Sequence, residues 1–130
     1  MRYLLGRVGP VFLLALCLAL LPGQPSPPET AAKAIFDAKC LACHGDARAS
    51  DLDLRHLDTI LKGGKRGPAI VPGDANSSLL YKAVRREGDL QMPFGRAPLT
   101  PAEVSTLRDW INAGAHWPSD RKSTRLNSSH

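Results

Sequence analysis

The run Cys40-Leu41-Ala42-Cys43-His44 constrains this chain more than any other feature. On a helix, positions three apart share one face a turn apart, so Cys40 and Cys43 present two thiols side by side. His44 follows Cys43 directly and adds an imidazole. Four chemistries use such a cluster. C-x-x-C-H is the attachment signature of a c-type haem, in which both thiols become thioethers and the histidine reaches the iron. A thioredoxin-like dithiol needs a βαβ setting, yet Cys40 follows an Ala-rich helical stretch with no strand before it. A structural zinc ion takes four ligands. His56 or His116 could supply the fourth, although adjacent Cys43 and His44 are not usual zinc spacing. A plain Cys40–Cys43 disulfide is the simplest alternative for an exported chain. The context favours one covalent haem c.

That context begins upstream. Ala31, Ala32, Ala34, Ile35, Phe36 and Ala38 predict a helix that starts near Glu29 or Thr30 and ends by presenting Cys40. The clearest helix comes last. Thr100-Pro101-Ala102-Glu103 is a capping box with Pro at the first helical position. Val104, Leu107, Trp110 and Ile111 then recur at helical spacing, Gly114 stops the run and Pro118 follows. This stripe should pack on the N-terminal helix. A third helix is expected from an N-cap at Asn76 to about Arg86, with Leu79, Leu80 and Val84 inward. Glycine-rich turns lie between: Gly63-Gly64, Gly67-Pro68 and Pro72-Gly73. Phe36, Tyr81, Phe94, Trp110 and Trp117 are the aromatics of this region. So small an aromatic set in a loop-rich chain leaves room for a buried haem, and predicts an apo form that folds poorly.

An iron held by His44 on one side needs a ligand on the other. Met92 is the only methionine besides Met1, in Leu90-Gln91-Met92-Pro93-Phe94. Pro93 disfavours helix at Met92, which places that thioether in a loop able to face a haem. His56 and His116 are the other candidates and read better as surface residues. A Met/His pair raises the reduction potential relative to two histidines, which suits one-electron transfer.

Charge separates the ends from the middle. Seventeen Lys and Arg against twelve Asp and Glu give +5. The excess sits at Arg2 and Arg7 and at Arg121, Lys122 and Arg125, and the stretch from 24 to 119 carries only +1. A nucleic-acid binder carries its positive charge on the folded part, so that class is excluded. Val8 to Leu21 has no charge and is shorter than the roughly 20 residues that span a bilayer. With Arg2 and Arg7 before it, it reads as a secretory signal over 1–23, with an exported, periplasmic or otherwise extracytoplasmic destination. Leu14-Ala15-Leu16-Cys17 resembles a lipoprotein box with Leu16 where a small residue is wanted. Membrane association is therefore expected only if the signal is retained or Cys17 is lipidated. Residues 24–30, with Pro25, Pro27 and Pro28, read as a stiff tether. The domain proper is expected over 31–118. Asp120 to His130, DRKSTRLNSSH, matches the translation of a common sequencing adapter, so 119–130 reads as a non-native tail and the natural protein is expected to continue beyond it.

Taken together the segments resemble a known family. They are Ala38 to Gly45, Leu61-Lys62-Gly63-Gly64, Gly67 to Asp74, Ser78-Leu79-Leu80-Tyr81, Met92-Pro93, and Leu107 to Pro118 with Trp110, Ile111, Gly114, Ala115 and Trp117. In this order they look like the planctomycete-type cytochrome c domain, over about Ala34 to Pro118. Phe94 stands where that family tends to have a second Pro, which bears on loop shape. The resemblance implies an all-α, compact cytochrome c-like fold of three to four helices around one covalent haem. It implies Cys40 and Cys43 as attachment points and His44 and Met92 as axial ligands. The favoured reading is a one-electron carrier, rather than a complete enzyme, that serves a redox partner or downstream domains of the same chain. A haem sensor or catalytic haem with an open distal site, or a structural haem in a larger enzyme, are the alternatives. Two readings stand for the Gly67-Pro68 turn: it offers a carbonyl to His44 Nδ1–H, or it is a rigid turn only. Lys62, Lys65 and Arg66 form a small basic cluster that reads as solvated turn residues. No hydrolytic or transferase constellation is present: His56 and Asp58 lack an activated nucleophile, and Gly63-Gly64 lacks the setting of a phosphate loop.

Overall fold

The computed structural model describes residues 26–118 together with Gly6. The expected signal segment, the start of the tether and the tail lie outside the described residues. These hold five α-helices and no strand: α1 (Pro28–Lys39), α2 (Leu41–His44), α3 (Leu57–Lys62), α4 (Leu79–Val84) and α5 (Pro101–Asn112), with a 3-10 turn at Ala49–Asp51. The all-α expectation holds. The helices exceed three to four because the C-x-x-C-H run and the segment before Gly63 each coil into a short helix of their own. No helix among the described residues is long and apolar enough to cross a membrane.

α1 starts at Pro28, inside the stretch expected as tether, because Pro is tolerated at the first helical turn. The Pro27 carbonyl accepts from Thr30 and Ala31 N–H at 3.0 and 3.2 Å. α1 buries Ala32, Ile35 and Phe36. α5 forms as its capping box dictates: Thr100 Oγ1 accepts from Glu103 N–H, and Thr100 N–H donates to the Glu103 carboxylate at 2.8 Å. Its buried stripe is Leu107, Trp110 and Ile111, with Val104 half-buried. The two long helices pack on one another, as their stripes predict. Phe36 and Trp110 meet edge to face, and Trp117 closes the cluster at ring distances of 6.0 and 5.9 Å. The Trp110 indole N–H donates to the His116 carbonyl at 2.7 Å, which folds the chain end back over α5.

α4 departs from its expected start. Its N-cap position is Ser78, not Asn76, and it ends at Val84. Asp74 is the reason. Its carboxylate accepts from Ser77 N–H and Oγ–H, which holds 74–77 as a separate turn. The Ser78 hydroxyl is buried and spans that turn, accepting from Val71 N–H and donating to the Asp74 carbonyl, both at 2.8 Å. Leu80 and Val84 are buried as predicted, and Leu79 is half-buried. Leu80 N–H reaches the Ala69 carbonyl, and Ala69 N–H the Ile60 carbonyl, so α3, the glycine turn and α4 form one frame. Gly63 makes the frame possible: at φ +75° a Cβ there would run into the Gly67 carbonyl.

Candidate haem site

Cys40 ends one helix and begins the next. Its N–H donates to the Phe36 carbonyl at 2.9 Å, and its own carbonyl accepts from Cys43 and His44 N–H at 3.2 and 2.9 Å. The motif thus turns away from α1 within one residue. Gly45 permits the exit, since a Cβ there would lie 2.6 Å from the Leu41 carbonyl oxygen. The His44 carbonyl then accepts from Leu54 N–H at 2.8 Å, which ties the motif to the loop that follows.

That loop is locked by charge. Asp53 is buried and receives Arg55 through Nε at 3.0 Å and Nη2 at 2.8 Å, as well as the Arg55 backbone N–H. Asp46 receives Nη1 of the same guanidinium. The Arg55 hydrogen bonds hold the Asp53 carboxyl down to about 2. Nothing in the sequence flagged this clamp, because residues two apart in irregular chain follow no period.

Cys40, Cys43, His44 and Met92 all line one cavity of about 420 Å³. That lies within the usual range for a small-molecule or cofactor site. Leu54, Leu80, Val84, Leu99 and Leu107 supply apolar wall, and Phe36 joins the wall to the aromatic core. Lys39, Lys65, Arg66 and Arg96 also line it, with no Asp or Glu among the lining residues. Two members of the expected basic cluster are therefore cavity residues, while Lys62 is not.

Met92 reaches the cavity from a loop, as Pro93 predicts. Its N–H donates to the Ala83 carbonyl at 3.0 Å, which fastens the loop to the end of α4. The Met92–Pro93 peptide bond is cis. Phe94, beside it, is 84% exposed and still touches the cavity edge. His56 and His116 are exposed and do not line the cavity.

Two expectations are corrected or narrowed. The Gly67-Pro68 turn does not serve His44: Nδ1 is buried and without a hydrogen-bond partner. The turn is closed on itself instead, with Gly64 and Gly67 exchanging N–H to carbonyl bonds at 3.2 and 3.0 Å. The competing cysteine chemistries also lose ground. Cys40 and Cys43 are free thiols rather than a disulfide. Burial, with a contribution from the Glu103 carboxylate, pushes the Cys40 thiol up to about 11. A redox dithiol needs the opposite shift. Among the described residues no three His, Cys, Asp or Glu side chains assemble as a metal-holding group, so neither His56 nor His116 completes a zinc site.

The donor set fits a haem. Two thiols sit a turn apart, an imidazole has one nitrogen buried, and a thioether shares the same apolar cavity. A buried nitrogen without a partner is rare and calls for an explanation, which a group bound in this cavity would supply. Residues 40–93 match the family model of planctomycete cytochrome C. The match runs from the first motif cysteine to the proline after Met92 and leaves α5 outside it. No curated protein and no solved structure matches the chain.

Proposed function

We propose, for a chain that contains a planctomycete-type cytochrome c domain and so a haem-binding module, that it carries a single haem c and passes one electron at a time. The observation that supports this is the convergence of Cys40, Cys43, His44 and Met92 on one apolar cavity from two distant parts of the chain. Cys40 and Cys43 would each add S–H across a vinyl group, forming one S–C and one C–H bond with no change in electron count. His44 and Met92 would hold the iron from the chain's side. Bound there, the haem supplies a metal that changes oxidation state by one electron.

The chain's own residues set the conditions. With Nδ1 of His44 buried, Nε2 is the nitrogen left for a metal. The Leu54 bond to the His44 carbonyl and the Asp53–Arg55 clamp keep the imidazole where the thiols are. A thioether ligand stabilises ferrous iron, so Met92 would keep the potential high. The leucine wall excludes water and limits reorganisation on electron transfer. The cationic lining suits the two carboxylates of a haem and, beyond them, an acidic redox partner or a downstream domain. Export, the reading of the basic start and the apolar run after it, would put the attachment chemistry outside the cytoplasm.

The test is a visible spectrum of the full chain, made in a host with haem-c maturation and compared with Met92→Ala. A low-spin spectrum with the weak red charge-transfer band of a methionine–iron(III) bond, lost in Met92→Ala, supports the carrier. Covalent haem with a high-spin spectrum turns the reading to a sensor or catalytic site. No covalent haem despite working maturation overturns it.

A further inference from the structure

The Met92 loop has little of its own to hold it in place. Between Gly88 and Gly95, both at positive φ, it contributes no fully buried side chain. Met92 and Pro93 are half-buried and Phe94 points largely to solvent. Yet the loop must present one thioether at a defined place. The fastening comes from Arg86, just past α4.

Arg86 stands at φ +58°, a left-handed conformation unusual for a residue with a side chain. Its backbone N–H donates to the Ala83 carbonyl at 3.1 Å, the same carbonyl that receives Met92 N–H. From there the side chain crosses the loop. Nη2 donates to the Pro93 carbonyl at 3.0 Å and to the Arg96 carbonyl at 2.8 Å. Those two carbonyls bracket the turn that follows Met92, in which Arg96 N–H returns to Pro93 at 3.4 Å. Nε is buried and unpartnered, and Arg86 as a whole is half-buried. Charge-assisted bonds of this kind are roughly twice as strong as neutral ones. Among the described residues no carboxylate pairs with Arg86, and its Nη2 donates to the loop backbone alone.

We infer that Arg86 is the positioning residue for Met92, a pin that holds the thioether loop closed over the cavity. This rests on Met92 being the iron ligand. Removing the pin lets the loop open, so an outside ligand competes more easily for the iron while His44 and the thioethers stay in place.

The experiment uses the haem-loaded full chain as wild type, Arg86→Ala and Arg86→Lys. Imidazole is titrated into the oxidised protein, and the methionine–iron(III) band and the reduction potential are recorded. Arg86→Ala is expected to bind imidazole about tenfold more tightly or more, in line with the loss of charge-assisted hydrogen bonds. Its band should weaken and its potential fall, while fluorescence from Trp110 and Trp117 stays that of the wild type. Arg86→Lys, which keeps the charge and a donor, should recover part of each. Wild-type imidazole affinity, band and potential in both variants overturn the inference. A lowered global stability without any change in these three readouts also overturns it, since that is a merely structural role. A wild type without the band overturns the Met92 reading, and this inference with it.

Discussion

The ring of Phe36 meets the indole of Trp110 edge-on, with centroids 5.5 Å apart and planes at 81°. This contact joins the core to the haem site, because Phe36 lines the cavity and its carbonyl receives Cys40 N–H. The last helix therefore sets where the first thiol stands, although α5 lies outside the stretch matched to the family.

Trp110→Ala should cost about 3–5 kcal/mol of unfolding free energy, the usual range for a large buried aromatic. Phe36→Ala should cost a similar amount and also loosen Cys40. The pair should couple by about 0.5–1.5 kcal/mol, since edge-to-face aromatics contribute beyond their buried area. Urea unfolding of the haem-loaded chain, for both single variants and the double, measures this. Additive costs would remove the contact's special role.

Asp53 makes stability depend on pH at the acid end. Hydrogen bonds from Arg55 hold its carboxyl at about 2, below the ordinary value of 3.8. A depressed carboxyl stabilises the fold above its unfolded value, and the gain disappears as pH falls through the folded one. The Asp53 side chain is 6% exposed but its Arg55 partner is 32% exposed, so solvent screens the pair in part and the gain is an upper bound. Wild type should exceed Asp53→Asn by up to about 2 kcal/mol at pH 7, the shift converted at 1.36 kcal/mol per pH unit. The gap should narrow from about pH 4 to about pH 2. Urea unfolding across this range checks it, and a gap that stays constant would contradict the clamp.

What the chain made legible, and what it did not, follows from how each contact is encoded. α1 and α5 could be read because their signals are local: Pro at the start, a capping box, an apolar stripe with helical period. Cys40, Cys43 and His44 come from one spacing, and Met92 could be singled out because no other internal methionine competes. α4 starts two residues later than an N-cap at Asn76 implies, because Ser78, also a capping residue type, takes the N-cap position. Only the fold shows that Asp74 takes Ser77 into a turn and that Ser78 spends its hydroxyl on Val71 and Asp74. α3 has no signature of its own in the sequence, because its six residues are too short to carry a helical period. The Arg86 bonds to Pro93 and Arg96 were beyond reach for another reason. Their acceptors are backbone carbonyls, which every residue has, so the sequence carries no mark of them.

Cys40 offers the sharpest check on its own chemistry. Only the thiolate is nucleophilic, and burial lifts this thiol to about 11. Against an ordinary thiol at 9.0, that leaves roughly a hundredfold less thiolate at pH 8. In the full chain made without haem maturation, under conditions where circular dichroism shows its helices formed, Cys43, which is exposed, should react with iodoacetamide first. Cys40 should lag until the pH approaches 11 or the chain is unfolded in urea, where the two rates converge. Mass spectrometry of peptides labelled over time follows both residues separately. Equal labelling in the native chain would mean that the thiol is not buried. Fast labelling of Cys40 alone would point to an activated thiolate and bring back the redox dithiol that its raised value argues against. Slow labelling confined to Cys40 fits a thiol kept protonated, neutral and against the cavity wall.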